Sequence, residues 1–174
     1  RDPGLAGVEK ILRLKLKKHT GDARMSFADA LDMKGRGYIV LGAGQGIGAA
    51  TARGLAGLGA RVLCVDNDLS RGAAIADEVK GHAIAGDVTK REDMRRIFDE
   101  AHKLFGGDFS GVADIVGMAN TGALSAMDDA AWDAQFDIVL RHVFLAIQIG
   151  GEMLARRGGG SMAFVGSIAG TLSI

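Results

Sequence analysis

Four alternating glycines, in Gly42-Ala43-Gly44-Gln45-Gly46-Ile47-Gly48, follow directly on the apolar run Tyr38-Ile39-Val40-Leu41. A short buried strand that breaks into glycines and then into a helical pattern is where a strand-turn-helix unit binds a dinucleotide. Glycines let the chain turn tightly and bring backbone close to a pyrophosphate. The N-terminus of the helix that follows presents unpaired N–H groups to the phosphates. Gly42, Gly44, Gln45, Gly46, Ile47 and Gly48 are therefore the candidate phosphate-side contacts. Eighteen residues after Gly48, a second apolar run, Arg61-Val62-Leu63-Cys64-Val65, ends at Asp66, with Asn67 next to it. A carboxylate there can accept hydrogen bonds from both ribose hydroxyls of NAD and repels the 2′-phosphate of NADP. No Arg or Lys lies in the turn itself, so the cofactor expected is NAD(H). The competing reading is that Asp66 caps the next helix from the run Asp66-Asn67-Asp68. A Walker-type phosphate loop is excluded, because the turn has no Gly-Lys-Ser/Thr.

The elements that must position these residues follow a regular alternation. Strands are expected over 38–41, 61–65, 82–85, 112–116 and 161–165. Helices are expected over 47–58, closed by Gly59, over 70–79 with Ser70 as N-cap, over 91–105 and over 129–156. The 91–105 segment puts Met94, Ile97, Phe98, Ala101, Leu104 and Phe105 on one face. In the long helix, Trp132, Phe136, Val139, Leu140, Val143, Phe144 and Ile147 form a stripe expected to be core or subunit interface. Asp128-Asp129 and Glu92-Asp93 suit helix starts, where acidic groups complement the dipole. Near-continuous apolar strands alternating with helices imply a parallel sheet covered on both faces. The fold class is thus α/β, a doubly wound parallel sheet.

Composition narrows the function classes. Of 174 residues, 48% are apolar and 24% charged, as in an ordinary globular domain rather than a disordered tail. Glycine occurs 27 times and proline once, a bias towards tight turns and close backbone approaches, not collagen. A lone cysteine, Cys64, excludes a disulfide framework and a Cys-rich zinc module, and mildly favours a cytoplasmic location. The four histidines show no metal-ligand spacing, so no metal site is expected. The apolar region 136–149 is interrupted by Asp137 and Arg141, so no uninterrupted stretch reaches the roughly 18 residues of a membrane span.

The net charge of zero averages two unlike parts. Residues 1–24 carry seven basic and three acidic side chains, a net of +4, which leaves −4 on the remaining 150. One domain is expected, the nucleotide-binding domain over 25–174, preceded by a basic N-terminal extension over 1–24. The extension fits a short strand or a helix equally well, and either a tag or upstream sequence or a binding arm. It has few basic groups and no interleaved aromatics, so neither nucleic acid nor membrane is expected as a partner. Met25 is a plausible natural start.

At this point the sequence resembles the short-chain dehydrogenase/reductase family, over about residues 33–174. The spacing Gly42-x-x-x-Gly46-x-Gly48 is similar to that family's nucleotide turn. Gly86-Asp87-Val88-Thr89 resembles its Asp-Val segment after the third strand, which implies contact of Asp87 and Val88 with the adenine. Residues 132–144 resemble its helix between the fourth and fifth strands. The stretch Gly160-Ser161-Met162-Ala163-Phe164-Val165-Gly166-Ser167-Ile168-Ala169-Gly170 resembles the fifth strand and the segment that carries a catalytic serine, here Ser167. The family's Asn-Asn-Ala-Gly segment aligns with Gly117-Met118-Ala119-Asn120, which implies cofactor contacts at Ala119 and Asn120.

The resemblance implies the Rossmann-type strand order 3-2-1-4-5 for the doubly wound sheet. It also implies hydride transfer between NAD(H) and a secondary alcohol or ketone, in a homodimer or homotetramer assembled through the 129–156 helix. Four departures stand out, the first being Gly117-Met118-Ala119-Asn120 where the family has Asn-Asn-Ala-Gly. Leu41 replaces the usual Thr before the turn, and Val139 replaces a helix Asn. The family's Tyr-x-x-x-Lys pair, due about a dozen residues past Ser167, falls beyond Ile174, so the protein is expected to continue past the given sequence. The alternative is a non-catalytic NAD-binding or sensing protein on the same fold. His142, beside the apolar stripe of the long helix, is expected to be packed or surface, and Cys64 buried and inert.

Overall fold

The computed structural model describes residues 31–119 and 122–168. The chain divides into two units, Arg1–Asp32 and Met33–Ile174, and the fold below is that of the second. Its elements are β1 (Gly37–Leu41), α1 (Gly46–Gly57), β2 (Arg61–Asp66), α2 (Leu69–Val79), β3 (His82–Ala85), α3 (Arg91–Phe105), β4 (Phe109–Asp114), α4 (Asp129–Arg156) and β5 (Ser161–Phe164). The five strands form one parallel sheet in the order β3-β2-β1-β4-β5.

β1 is wholly buried because it lies at the centre of the sheet with a hydrophobic cluster on each face. Alternate side chains divide between the clusters, as the two-residue period of a strand requires. Ile39, Leu41, Leu63, Val65 and Val112 pack under α3 and α4 with Met94, Phe98, Phe105 and Leu145. Tyr38, Val40, Val62 and Cys64 pack under α1 and α2 with Ala49, Ala52 and Ile75. The Phe98 and Phe109 rings meet edge to face, 6.1 Å between centroids. At the opposite end of the sheet from the glycine turn, the Arg61 guanidinium donates to the carbonyls of Gly35 and Leu104 and pairs with Asp108.

Several boundaries differ from expectation for local reasons. α2 is capped by Asp68, not Ser70; the Asp68 carboxylate accepts from the Ser70 N–H at 2.9 Å. β4 spans 109–114 rather than 112–116, because pairing with β1 sets its register, Tyr38 opposite Gly111 and Leu41 opposite Asp114. Past the end of the strand Ile115 still donates its N–H to the Leu41 carbonyl at 3.1 Å, and Val116 donates to the Asp114 carboxylate instead.

α4 begins as anticipated, with the Asp128 carboxylate accepting from the Ala131 N–H at 2.8 Å. It contains two π segments, Asp137–Arg141 and Ala146–Gly150. These wider turns alter which residues share a face. The buried residues are His142, Leu145, Ala146, Gly150 and Leu154, while Trp132, Phe136, Val139, Leu140, Phe144 and Ile147 are 44–56% exposed. The apolar stripe therefore does not form the core. By length and composition alone α4 is also apolar enough to cross a membrane, which its two interrupting charges obscured. Its buried side lies against the sheet and α3.

Candidate nucleotide-binding site

All five strands of a parallel sheet end on one edge, and the order 3-2-1-4-5 reverses direction between β1 and β4. A crevice opens there because the connections leave towards opposite faces. The cleft at this edge has a volume of about 350 Å³. Gly42, Gln45, Gly46, Ile47 and Gly48 form one wall, Asp66, Asn67 and Arg71 a second, and Ile115, Val116, Gly117 and Met118 a third.

The glycine turn is held from behind. Gly42 and Ala43 donate their N–H groups to the Val65 carbonyl at 2.8 and 2.9 Å. Gly42 has φ +77°, a left-handed conformation that a side chain would strain. Gly48 is required for another reason: a Cβ there would run into the Gly42 carbonyl. The first turn of α1 thus packs directly on the strand exit. Its N-cap, Gln45, makes no side-chain capping bond. The first N–H groups of a 12-residue helix are left facing the cleft, as an anionic group would need.

Asp66 ends β2 and is 7% exposed. Its Oδ2 accepts from the Gly44 N–H at 2.9 Å. Its Oδ1 accepts from the Asp68 N–H at 3.1 Å and from Arg71 Nη2 at 3.0 Å. Asp66 does not cap α2, since Asp68 has that role. The Ser70 hydroxyl and N–H hold the Asp68 carboxyl below its ordinary range. Gly44 is not part of the cleft wall; it brings the glycine turn and the carboxylate together. Arg71, five residues past Asp66, is a cation at this edge that inspection of the turn alone did not reveal.

After β3, Gly86, Asp87 and Val88 line the cleft. The Asp87 carboxylate accepts from the Thr89 N–H and hydroxyl at 3.0 and 2.6 Å, and the Asp87 N–H donates to Asp93 at 2.8 Å. These contacts fold the 86–90 segment tightly ahead of α3. Thr89 in particular pulls the Asp87 carboxyl below its usual value.

On the β4 side the cleft residues are 115–118, all four of which precede the expected Ala119 and Asn120. Ala119 is exposed and is not among the lining residues, and Asn120 lies outside the described residues. Behind this wall, the Asp114 carboxylate accepts from the Val116 N–H at 3.1 Å, and its other oxygen lies 2.7 Å from His142 Nδ1. Ile138 of α4 closes the cleft. Ser167 follows β5 on the same edge of the sheet, is exposed, and is not a lining residue of this cleft.

The arrangement fits a dinucleotide: an open helix N-terminus for phosphate, a buried carboxylate for a ribose diol and an apolar wall opposite. Comparison with known proteins agrees with this geometry. Residues 37–174 match the family model described as short chain dehydrogenase. The chain is 34% identical over 147 residues to the Rhizobium meliloti protein named "Probable galactose dehydrogenase GalD", covering 79% of this chain and 56% of that one. It is 29% identical over 150 residues to D-xylose 1-dehydrogenase of Caulobacter vibrioides, covering 83% and 58%. Among solved structures, a short-chain type dehydrogenase/reductase from Mycobacterium marinum superposes with a TM-score of 0.79 at 27% identity, covering 85% and 62%. The chain spans somewhat more than half the length of these curated relatives. A matched family model over most of the chain, together with the doubly wound sheet, shows that the chain belongs to the short-chain dehydrogenase/reductase family of oxidoreductases.

Proposed function

We propose that the protein is an NAD(H)-dependent oxidoreductase that interconverts a secondary alcohol and a ketone. The observation that carries the cofactor reading is the Asp66 carboxylate at the end of β2, held against the glycine turn by the Gly44 N–H. There it can accept from the ribose hydroxyls, and its charge opposes a 2′-phosphate. The open N-terminus of α1 holds the phosphates, Asp87 and Val88 border the adenine side, and residues 115–118 form the opposite wall. A bound nicotinamide supplies the hydride chemistry. Ser167 donates a hydrogen bond to the substrate oxygen, the role that the family resemblance implies. Two of the relatives are named as galactose and D-xylose dehydrogenases, which supports a polyhydroxylated substrate.

We further infer a cytoplasmic homodimer or homotetramer, with neither nucleic acid nor membrane as partner. The exposed apolar stripe of α4, from Trp132 to Ile147, supports assembly through that helix. The free, buried Cys64 supports a reducing compartment. Sedimentation of the protein and of Phe144→Glu tests the assembly; an unchanged particle mass would refute the role of α4.

Fluorescence titration with NADH and NADPH tests the cofactor reading. NADH is expected to bind more tightly, and Asp66→Ala to weaken it about ten-fold or more. Tighter NADPH binding by the wild-type protein would refute the assignment. A second reading, NAD binding without turnover, is favoured by Val139. Where the resemblance implies an asparagine, α4 carries an apolar side chain that can neither donate nor accept a hydrogen bond. Binding of NADH with no oxidation of any secondary alcohol by the full-length protein would decide for that reading.

A further inference from the structure

We propose that Arg71 is a movable counter-charge at the ribose site that narrows the protein's discrimination against NADP. This inference rests on the nucleotide-binding reading given above. A carboxylate offers about four lone-pair sites. Three of those on Asp66 are taken: Oδ1 by the Asp68 N–H and Arg71 Nη2, and Oδ2 by the Gly44 N–H. One remains, whereas a ribose diol donating two hydrogen bonds needs two. The backbone donors cannot leave, because Gly44 belongs to the glycine turn and Asp68 caps α2. Arg71 must therefore release Oδ1 when the diol binds.

The guanidinium has somewhere to go. Nη2 also donates to Asn67 Oδ1 at 2.7 Å, and Nε lies 3.7 Å from Asp68 Oδ2. Nε is buried and has no hydrogen-bond partner among the described residues. The side chain as a whole is 41% exposed, so it can move without disturbing the core. Once displaced, it remains at the rim of the cleft beside Asn67, where a 2′-phosphate would project. A planar guanidinium there can bind phosphate through two parallel hydrogen bonds and offset the repulsion from Asp66. With NAD bound it meets no such anion and only competes for Asp66.

The expected consequence is a selectivity that depends on one side chain outside the glycine turn. Kd values for NADH, NADPH, AMP and adenosine 2′,5′-bisphosphate would be measured for wild type, Arg71→Ala and Arg71→Lys at low and high salt. Arg71→Ala is expected to raise the NADPH-to-NADH Kd ratio about ten-fold at low salt, through weaker NADPH and unchanged or tighter NADH. The two adenosine fragments should shift in the same sense. Arg71→Lys should keep most of the wild-type ratio, and added salt should shrink the Arg71→Ala effect. A ratio unchanged or lowered by Arg71→Ala, with NADH still bound, would overturn the role of Arg71 alone. So would Arg71→Lys behaving as Arg71→Ala does. Failure of the wild-type protein to bind either dinucleotide would instead overturn the nucleotide reading, and this inference with it.

Discussion

The Nδ1 atom of His142 lies 2.7 Å from Oδ2 of Asp114, joining the middle of α4 to the last residue of β4 inside the core. Both residues are at most 2% exposed. The other Asp114 oxygen holds the Val116 N–H, so the pair ties the long helix to the loop that forms the apolar wall of the cleft. Groups buried this deeply are costly unless paired, and removing one partner leaves the other without compensation. His142→Leu and Asp114→Leu are each expected to lower stability by about 3 kcal/mol in denaturant unfolding. The double variant His142→Leu/Asp114→Leu should lose clearly less than the sum of the single losses. Additive losses would show that the two residues do not act as a pair.

The glycine turn has no room at position 48. Gly48→Ala would place a methyl group against the Gly42 carbonyl, and overpacking of this kind costs about 1–3 kcal/mol. The first turn of α1 should move away from the β1 exit, with at least a ten-fold loss in NADH affinity. Gly54→Ala, on the same helix with open space around it, is the control and should bind normally. Equal affinities for the two variants would remove the turn from the site.

Cys64 provides a pH test of burial. It is fully buried in β2, and desolvation pushes its thiol up to about 11, from an ordinary value of 9.0. The folded state therefore holds its proton where the unfolded chain has lost it, so this contribution to stability is intact below pH 9 and falls away as pH rises towards 11. Cys64→Ala should flatten the decline in that window. Alkylation of the wild-type thiol at pH 8 should be slow until denaturant is added. Rapid labelling of the folded protein would contradict the burial.

Asp87 shows the opposite sign. Its carboxyl is held below the ordinary value of 3.8, chiefly by the Thr89 hydroxyl. Its contribution is present above that value and is lost as pH falls through the lower folded value. Thr89→Val should weaken this acid-side dependence while leaving stability at neutral pH less affected than Asp87→Ala does. Acid titrations followed by circular dichroism would measure both. Identical acid limbs for wild type and Thr89→Val would refute the attribution.

Much of the site could be read from local pattern, because its parts are contiguous in the chain. The apolar runs of β1 and β2, the glycines between β1 and α1, and Asp66 at the end of β2 are all short-range features with short-range causes. The amphipathic period of α3 is equally local. The parallel sheet follows from the same alternation, since parallel strands need helical crossovers, whereas the strand order came from the family resemblance.

What remained depended on pairing and packing between distant segments. Residues 112–116 are apolar on both sides of Asp114, so only the ladder with β1 shows that β4 stops at Asp114 and that Ile115 and Val116 line the cleft. In α4 the exposed apolar residues form a stronger stripe than the buried ones. Contact with the sheet, together with the two π segments, selects His142, Leu145 and Ala146 for the interior. His142 and Asp114 are 28 residues apart and meet only across the helix–sheet interface. Arg71 is close to Asp66 in sequence, but the loop and the capped start of α2 decide that its guanidinium turns back onto the carboxylate. The sequence by itself determined which elements form and where a phosphate can bind, because those depend on local period and backbone freedom. Tertiary structure alone decided which charges meet inside the cleft, because that depends on register and on the way helices pack against the sheet.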